Sequence, residues 1–327
     1  MADNRFKGVY VVVPTPLHED ERIDEDGLRY LVNYYIKTGC HGLVILGSGG
    51  EFPYFSFDER LAIARIAKEA ATGRVPVLVG VGFCGAMEAE AFVRAANNIG
   101  ADGYLAAVPT YYSVGFDDLS AYLNRVCRAS DRPVLYYHFP PMTQLHLSVD
   151  QIGKILSNPG IAGMKESTLS ISEVKRHLAL SQGTDVSIFA GNAVRLLEVL
   201  DHGGAGVIGV LPSIAPKLIT DCYNHWASGD LDRARACQQG IVDLLPFLIS
   251  FSLPPVVQRA AFRIISSLRF SFKARVPSRQ AVFKETLRQL GHPITARVRT
   301  PLPQVKPEDC DAITQMIAER KSVLETV

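Results

Sequence analysis

The chain contains no Cys-x-x-Cys pair; its six cysteines stand apart at positions 40, 84, 127, 222, 237 and 310. Such spacing offers neither a disulfide framework nor a zinc knuckle and fits reduced thiols in a cytosolic protein. An excess of either charge is also missing, with 34 basic against 33 acidic residues and a formal net charge of +1. Without a basic block or an acidic tail, nothing steers the chain toward nucleic acid or an anionic membrane, so the expected partner is a small molecule. No apolar stretch approaches the roughly 20 residues that a membrane helix requires. The opening segment MADNRFKGVYVVV is too polar for a secretory signal, and the expected localisation is cytoplasmic. The glycine-dense turn GSGGE at 47–51 lacks the Gly-Lys-Ser/Thr ending of a nucleotide loop and the spaced glycines of a dinucleotide fold. Two readings of it remain: an anion-binding nest of backbone N–H groups, or a tight turn needing positive φ at Gly47, Gly49 or Gly50.

What is present is a repeating alternation. Short β-rich runs occur at Val9–Val13, Leu43–Leu46, Val77–Val81, Gly103–Val108, Val134–Tyr137, Ile161–Met164, Ser187–Ala190 and Gly206–Val210. Most are apolar throughout, the mark of parallel strands covered on both faces. Amphipathic stretches of helical period lie between them, at 25–38, 56–71, 88–99, 118–129, 149–156 and 172–180. An open doubly wound sheet shares this alternation, but eight units and no dinucleotide fingerprint favour a (β/α)8 TIM barrel. After Val210 the pattern turns helical, at 215–228, 230–251, 254–267 and 280–290. The expected organisation is a barrel over residues 1–214 with a C-terminal helical extension over 215–327. Its last part, from Arg297, reads as an extended arm and a short charged helix, either a loose tail or an oligomer contact.

Active sites of such barrels form at the C-terminal ends of the strands. Lys165, in IAGMKES, directly follows an apolar strand, whereas the other lysines mostly fall on polar faces. A lysine in an apolar cavity loses hydration, which lowers its pKa and exposes a neutral amine, a nucleophile toward ketones. The competing reading is a structural ion pair with Glu166 or another acid. Tyr137 stands one strand away as a proton shuttle, with Ser48 as a hydroxyl link and Tyr112 as a second phenol. His138 and His41 each appear isolated, with no second histidine or acid at ligand spacing, so structural or surface roles are expected and no metal or cofactor is called for. The glycine pair of HGGAGVIG at 202–209 lies where many barrels bind phosphate and is read here as the turn before strand 8.

Five segments together carry a resemblance: GVYVVVPTPLHEDERID from Gly8, GSGGE at 47–51, VPTYY at 108–112, YHFP at 137–140 and GMKES at 163–167. In this order and spacing, over roughly residues 6 to 305, the chain resembles the dihydrodipicolinate synthase and N-acetylneuraminate lyase superfamily of Schiff-base barrels. The GSGGEF form and the tail RVRTPLPQV look most like the branch containing 2-keto-3-deoxygluconate-type aldolases. The resemblance implies that Lys165 forms the imine, that Tyr137 is a general acid/base, that Ser48 is the loop hydroxyl, and that Tyr112 reaches into an adjoining subunit's site. It implies a backbone contact from Ile208 to the substrate carboxylate, which the N–H groups around Ser48 and Gly49 also suit, and a homotetramer built as a dimer of dimers.

The departures bear on substrate. Met142 stands where the synthases place an arginine, which argues against lysine biosynthesis. Gly191-Asn192-Ala193-Val194 lacks the acids that sialate lyases and sugar-acid aldolases use for a polyol chain, and Gly49 replaces the loop's usual second hydroxyl. The expected function is a lyase acting on a 2-keto acid, with cleavage of a 2-keto-3-deoxy sugar acid to pyruvate and an aldehyde in front. A dehydratase, a hydratase-aldolase for an aromatic pyruvate derivative, dihydrodipicolinate synthase and a non-enzymatic keto-acid sensor are the alternatives.

Overall fold

The computed structural model describes residues 6–108, 112–168, 170–249 and 278–324. The apolar runs form eight strands: β1 (Gly8–Val12), β2 (Gly42–Ile45), β3 (Val77–Val81), β4 (Gly103–Ala107), β5 (Val134–His138), β6 (Ile161–Glu166), β7 (Ser187–Ala190) and β8 (Gly206–Gly209). Each pairs in parallel with its neighbours in sequence, and β8 returns to β1 to close the barrel. The strands need covering on both faces, and two separate apolar clusters supply it. One fills the interior, where Tyr10, Val12, Val44, Leu78, Phe189 and Ile208 meet. The other lies between strands and helices.

The outer layer consists of α1 (Glu25–Lys37), α2 (Phe57–Ala71), α3 (Ala86–Ile99), α4 (Phe116–Ala129), the single turn α5 (Pro140–Thr143), α6 (Val149–Leu156), α7 (Ile171–Ala179) and α8 (Leu196–Asp201). Local chemistry starts and stops these helices. Asp24 caps α1 by accepting from Gly27 N–H at 2.9 Å, and α1 buries Leu28, Leu31, Val32 and Tyr35, an apolar stripe of helical period. Ser56 and Glu59 form a reciprocal capping box at α2. Gly100, at φ 82°, ends α3 in the left-handed conformation that glycine adopts without steric cost.

Beyond the barrel come α9 (Pro216–Ala227), α10 (Leu231–Asp243), α11 (Leu245–Ile249), α12 (Arg279–Gln289) and α13 (Pro307–Glu319). The expected single helix over 230–251 is interrupted at Leu244, because Pro246 has no N–H to continue the ladder and begins a new turn. The helix expected over 254–267 lies outside the described residues. The arm from Arg297 is not a loose tail. Arg299 donates to Glu59 Oε1 at 2.8 Å and to the Glu21 carbonyl at 2.8 Å, while the Thr300 hydroxyl donates to Glu21 Oε1 at 2.6 Å. β6 also runs two residues past its apolar part. Lys165 lies inside the strand rather than after it, held in register between Tyr137 of β5 and Phe189 of β7.

Phe189, the register partner of Lys165 on β7, is fully buried and meets Tyr10 edge-on with ring centroids 5.5 Å apart. Phe189→Ala is expected to cost about 3–5 kcal/mol of stability, read as a lower denaturation midpoint, because the closed barrel cannot collapse onto the cavity.

Candidate active site

Successive residues of a strand point to opposite faces, and this alternation divides the end of β6 into two chemical environments. Lys165 shares the interior face with Tyr137, its register partner on β5, whereas Glu166 and His138 form the next pair and turn toward the helix layer. Lys165 is 4% exposed, and its Nζ sits 4.1 Å from the centroid of the Tyr137 ring. No ion pair between Lys165 and Glu166 forms. Among the described residues, no carboxylate lies within ion-pair distance of Lys165, and Glu166 is engaged elsewhere: Oε2 takes a short hydrogen bond with His177 Nδ1, and Oε1 accepts from Thr168 N–H at 2.7 Å. Tyr137 is stacked on Phe139, ring centroids 5.5 Å apart, which fixes the phenol's direction. Its hydroxyl lies 3.5 Å from Ser48 Oγ, the outer limit of a hydrogen bond. The structure thus brings together Lys165, Tyr137 and Ser48.

The loop that carries Ser48 differs from the expected glycine turn. Gly47, Gly49 and Gly50 do not occupy the positive-φ region; the flanking Leu46 (φ 54°) and Glu51 (φ 61°) do. The glycines are required by space instead. A Cβ on Gly49 would stand 2.6 Å from Val210 Cγ1 and 3.1 Å from Val12 Cγ1, so the valine after β8 occupies the room that a second loop hydroxyl would need. The amides of Gly50 and Glu51 are spent inside the turn, on the carbonyls of Gly47 and Ser48, which leaves those of Ser48 and Gly49 outside it. Ile208 lies in β8, its side chain buried in the interior cluster and its backbone in register with Tyr10. Tyr112 is 78% exposed. Met142 is likewise exposed, on the short helix after β5. HGGAG makes the turn into β8, with Gly203 at φ 87°.

Glu51 holds this loop from behind. Its carboxylate is fully buried and accepts from Arg299 N–H at 2.7 Å through Oε2. Lys284 of α12, also fully buried, places Nζ 2.5 Å from Glu51 Oε1, at an angle that makes the contact an ion pair rather than an aligned hydrogen bond, and donates to the Arg297 carbonyl at 2.7 Å. Burial pushes the Lys284 ammonium below its ordinary pKa, and the neighbouring carboxylate opposes that shift. One turn earlier, Gln280 donates to the Ser48 carbonyl at 2.9 Å. These α12 residues escape sequence reasoning because Gln280 lies 232 positions from Ser48 and no local pattern links them.

His138 is not isolated. His138, Glu166 and His177 bring ligand-type atoms within 4.8 Å of one another, all buried. The signal was available: His177 lies beside Val174 and Leu178 on the buried face of α7. These donors already serve one another, with the Tyr136 phenol 3.1 Å from His138 Nδ1 and His177 on Glu166, although His177 Nε2 is unpartnered. The cluster sits behind β6, on the face opposite Lys165. Desolvation pushes His138 down to about 4. His41 is structural, as expected: its Nδ1 accepts from Val9 N–H at 3.2 Å, and its ring packs edge-on against Tyr223.

A buried amine and a phenol at the strand ends of a closed parallel barrel define a lyase of the class I aldolase type. The chain belongs to the Dihydrodipicolinate synthetase family, whose profile matches residues 5–277. It is 33% identical over 256 residues to the 4-hydroxy-tetrahydrodipicolinate synthase of Acidiphilium cryptum (strain JF-5), covering 78% of this chain and 87% of that one. It is 31% identical over 253 residues to the probable 2-dehydro-3-deoxy-D-pentonate aldolase YjhH of Escherichia coli (strain K12), covering 76% and 84%. Among solved structures, it superposes with TM-score 0.84 and 27% identity on YagE, a prophage protein of the dihydrodipicolinic acid synthase family from E. coli K12 in complex with pyruvate, covering 97% of this chain and 99% of that one. Family and structure agree on a Schiff-base, pyruvate-dependent lyase superfamily. Among the described residues, no helix is long and apolar enough to cross a membrane.

Two outcomes follow from the groups around the site. Lys284→Met leaves the buried Glu51 carboxylate without its counter-charge and is expected to cost about 3–5 kcal/mol, measured by denaturant unfolding. For His138, both folded and unfolded states are neutral above its ordinary pKa of 6.5. Below 6.5 the unfolded chain takes up the proton first, so stability falls until the folded imidazole protonates near pH 4, a loss on the order of 3 kcal/mol. Unfolding free energies between pH 7 and 4 are expected to show this slope in the wild type and a shallower one in His138→Asn.

Proposed function

We propose that the protein cleaves a 2-keto-3-deoxy sugar acid to pyruvate and an aldehyde through an imine at Lys165. The observation that carries the reading is the buried Lys165 amine, without a carboxylate partner among the described residues, against the face of Tyr137. The Lys165 amine attacks C2 of the keto acid, the carbinolamine loses water, and a protonated imine forms. Removal of the C4 hydroxyl proton breaks the C3–C4 bond, and its electron pair passes into the imine as an enamine. The aldehyde departs, C3 takes up a proton, and water hydrolyses the imine to release pyruvate and restore the amine.

Tyr137 moves the protons in this scheme, to the departing water and from the C4 hydroxyl, with Ser48 3.5 Å away as its link. The free amides of Ser48 and Gly49, with the backbone of Ile208, hold the C1 carboxylate. Tyr112, exposed on this chain, serves the site of a neighbouring copy in a homotetramer. A second reading, condensation of pyruvate with an amino-acid semialdehyde, has the synthase relatives in its favour. It uses the same imine and runs through the enamine in the opposite direction.

Incubation with pyruvate and borohydride is expected to leave a reduced adduct on the peptide containing Lys165, located by peptide mass. Lys165→Ala abolishes that adduct, and Tyr137→Phe lowers turnover by about 10²-fold or more. An unmodified Lys165 peptide in the wild type would falsify the imine reading. Pyruvate release from 2-keto-3-deoxy acids then separates cleavage from condensation.

A further inference from the structure

Behind the imine site, three side chains that can ligate a metal converge from three elements. His138 ends β5, Glu166 ends β6, and His177 lies on the buried face of α7. All three are buried, and one ligand-type atom from each lies within 4.8 Å of the other two. The imidazole rings of His138 and His177 meet edge-on, with centroids 5.6 Å apart.

The cluster is incomplete in both charge and hydrogen bonding. Glu166 is a carboxylate withdrawn from water, yet among the described residues no lysine or arginine lies within ion-pair distance of it, and its ionic contact is with an imidazole. Removing such a charge from water calls for a compensating cation. His177 engages Glu166 through Nδ1, which puts the proton there and leaves a lone pair on Nε2. That Nε2 is buried without a partner, and so is the hydroxyl of Thr168, the residue whose N–H bonds Glu166. An unpaired polar atom in the interior is costly unless another group meets it. On His138, the Tyr136 phenol engages Nδ1 at 3.1 Å, the way an outer partner orients a ligating imidazole.

We infer that His138, Glu166 and His177 bind a divalent ion of the zinc class, which ties β5 and β6 to α7. Two imidazole nitrogens and a carboxylate oxygen suit zinc, whereas magnesium and calcium favour oxygen ligands throughout. Zinc bonds of about 2.1 Å set ligand atoms roughly 3.4 Å apart in a tetrahedron. Turning the His177 ring about its Cβ–Cγ bond, a broad two-fold rotor, carries Nε2 toward Glu166 Oε2 and offers both atoms to the ion. The ion supplies the positive charge that Glu166 lacks. It faces the helix layer, opposite Lys165, and holds the strand ends that carry Lys165 and Tyr137 without entering the imine chemistry.

The full chain, stripped with a chelator and dialysed against zinc at neutral pH, is expected to retain about one zinc ion per chain by elemental analysis. Its denaturation midpoint is expected to rise with zinc concentration and not with magnesium. Cobalt(II) bound in place of zinc is expected to show visible bands of a nitrogen and oxygen ligand set without the near-ultraviolet charge-transfer band of a thiolate, which separates this site from the six cysteines. His177→Gln and His138→Asn each remove the stoichiometric ion and the zinc-dependent rise. The cobalt spectrum and the midpoint need only the wild type, so a variant that does not fold leaves the test intact. A wild type that retains no zinc, a midpoint indifferent to zinc, a thiolate band with cobalt, or equal zinc in wild type and folded variants overturns the site.

Discussion

The buried ion pair between Glu51 and Lys284 is the constraint on which the candidate site depends. Glu51 adopts a left-handed backbone conformation at the end of a loop crowded by Val12 and Val210, a geometry that an isolated segment would not hold. Taking both charges out of water is expensive, and the cost is offset by the Arg299 N–H bond to Glu51 Oε2 and the Lys284 bond to the Arg297 carbonyl. The result joins three distant segments: the loop after β2, helix α12 and the C-terminal arm. Ser48 owes its position facing Tyr137 to that junction.

The barrel was legible because its physics is local. Strands covered on both faces must be apolar throughout, and helices must carry a stripe, so both leave periodic traces in the chain. Lys165 and Tyr137 were legible for a related reason, since the polar residues that end such strands are few. The limits of β6 were misjudged because apolarity ended at Met164 while the ladder continued through Glu166. The competing reading of Lys165, an ion pair with Glu166, fails because adjacency in sequence is not adjacency in space. In a strand the two imply opposite faces.

What could not be read lies in long-range pairing. GSGGEF and RVRTPLPQV are separate markers in the chain, yet Glu51 in the first accepts from the backbone of Arg299 in the second. Neither segment announces the other, because a buried carboxylate and a backbone amide make an ordinary pair that no spacing rule encodes. Gln280 was hidden in the same way, at the start of a segment that local pattern describes only as helical.

The contact between Gly49 and Val210 has a consequence for how this loop can change. A hydroxyl residue at position 49 needs the volume now filled by the valine, and a smaller residue at position 210 would open a void beside a bare glycine. Each change is unfavourable alone and acceptable with the other. The chemistry of the loop and the packing behind β8 are therefore one coupled choice, and a path between the two loop types must pass through a strained or a hollow intermediate.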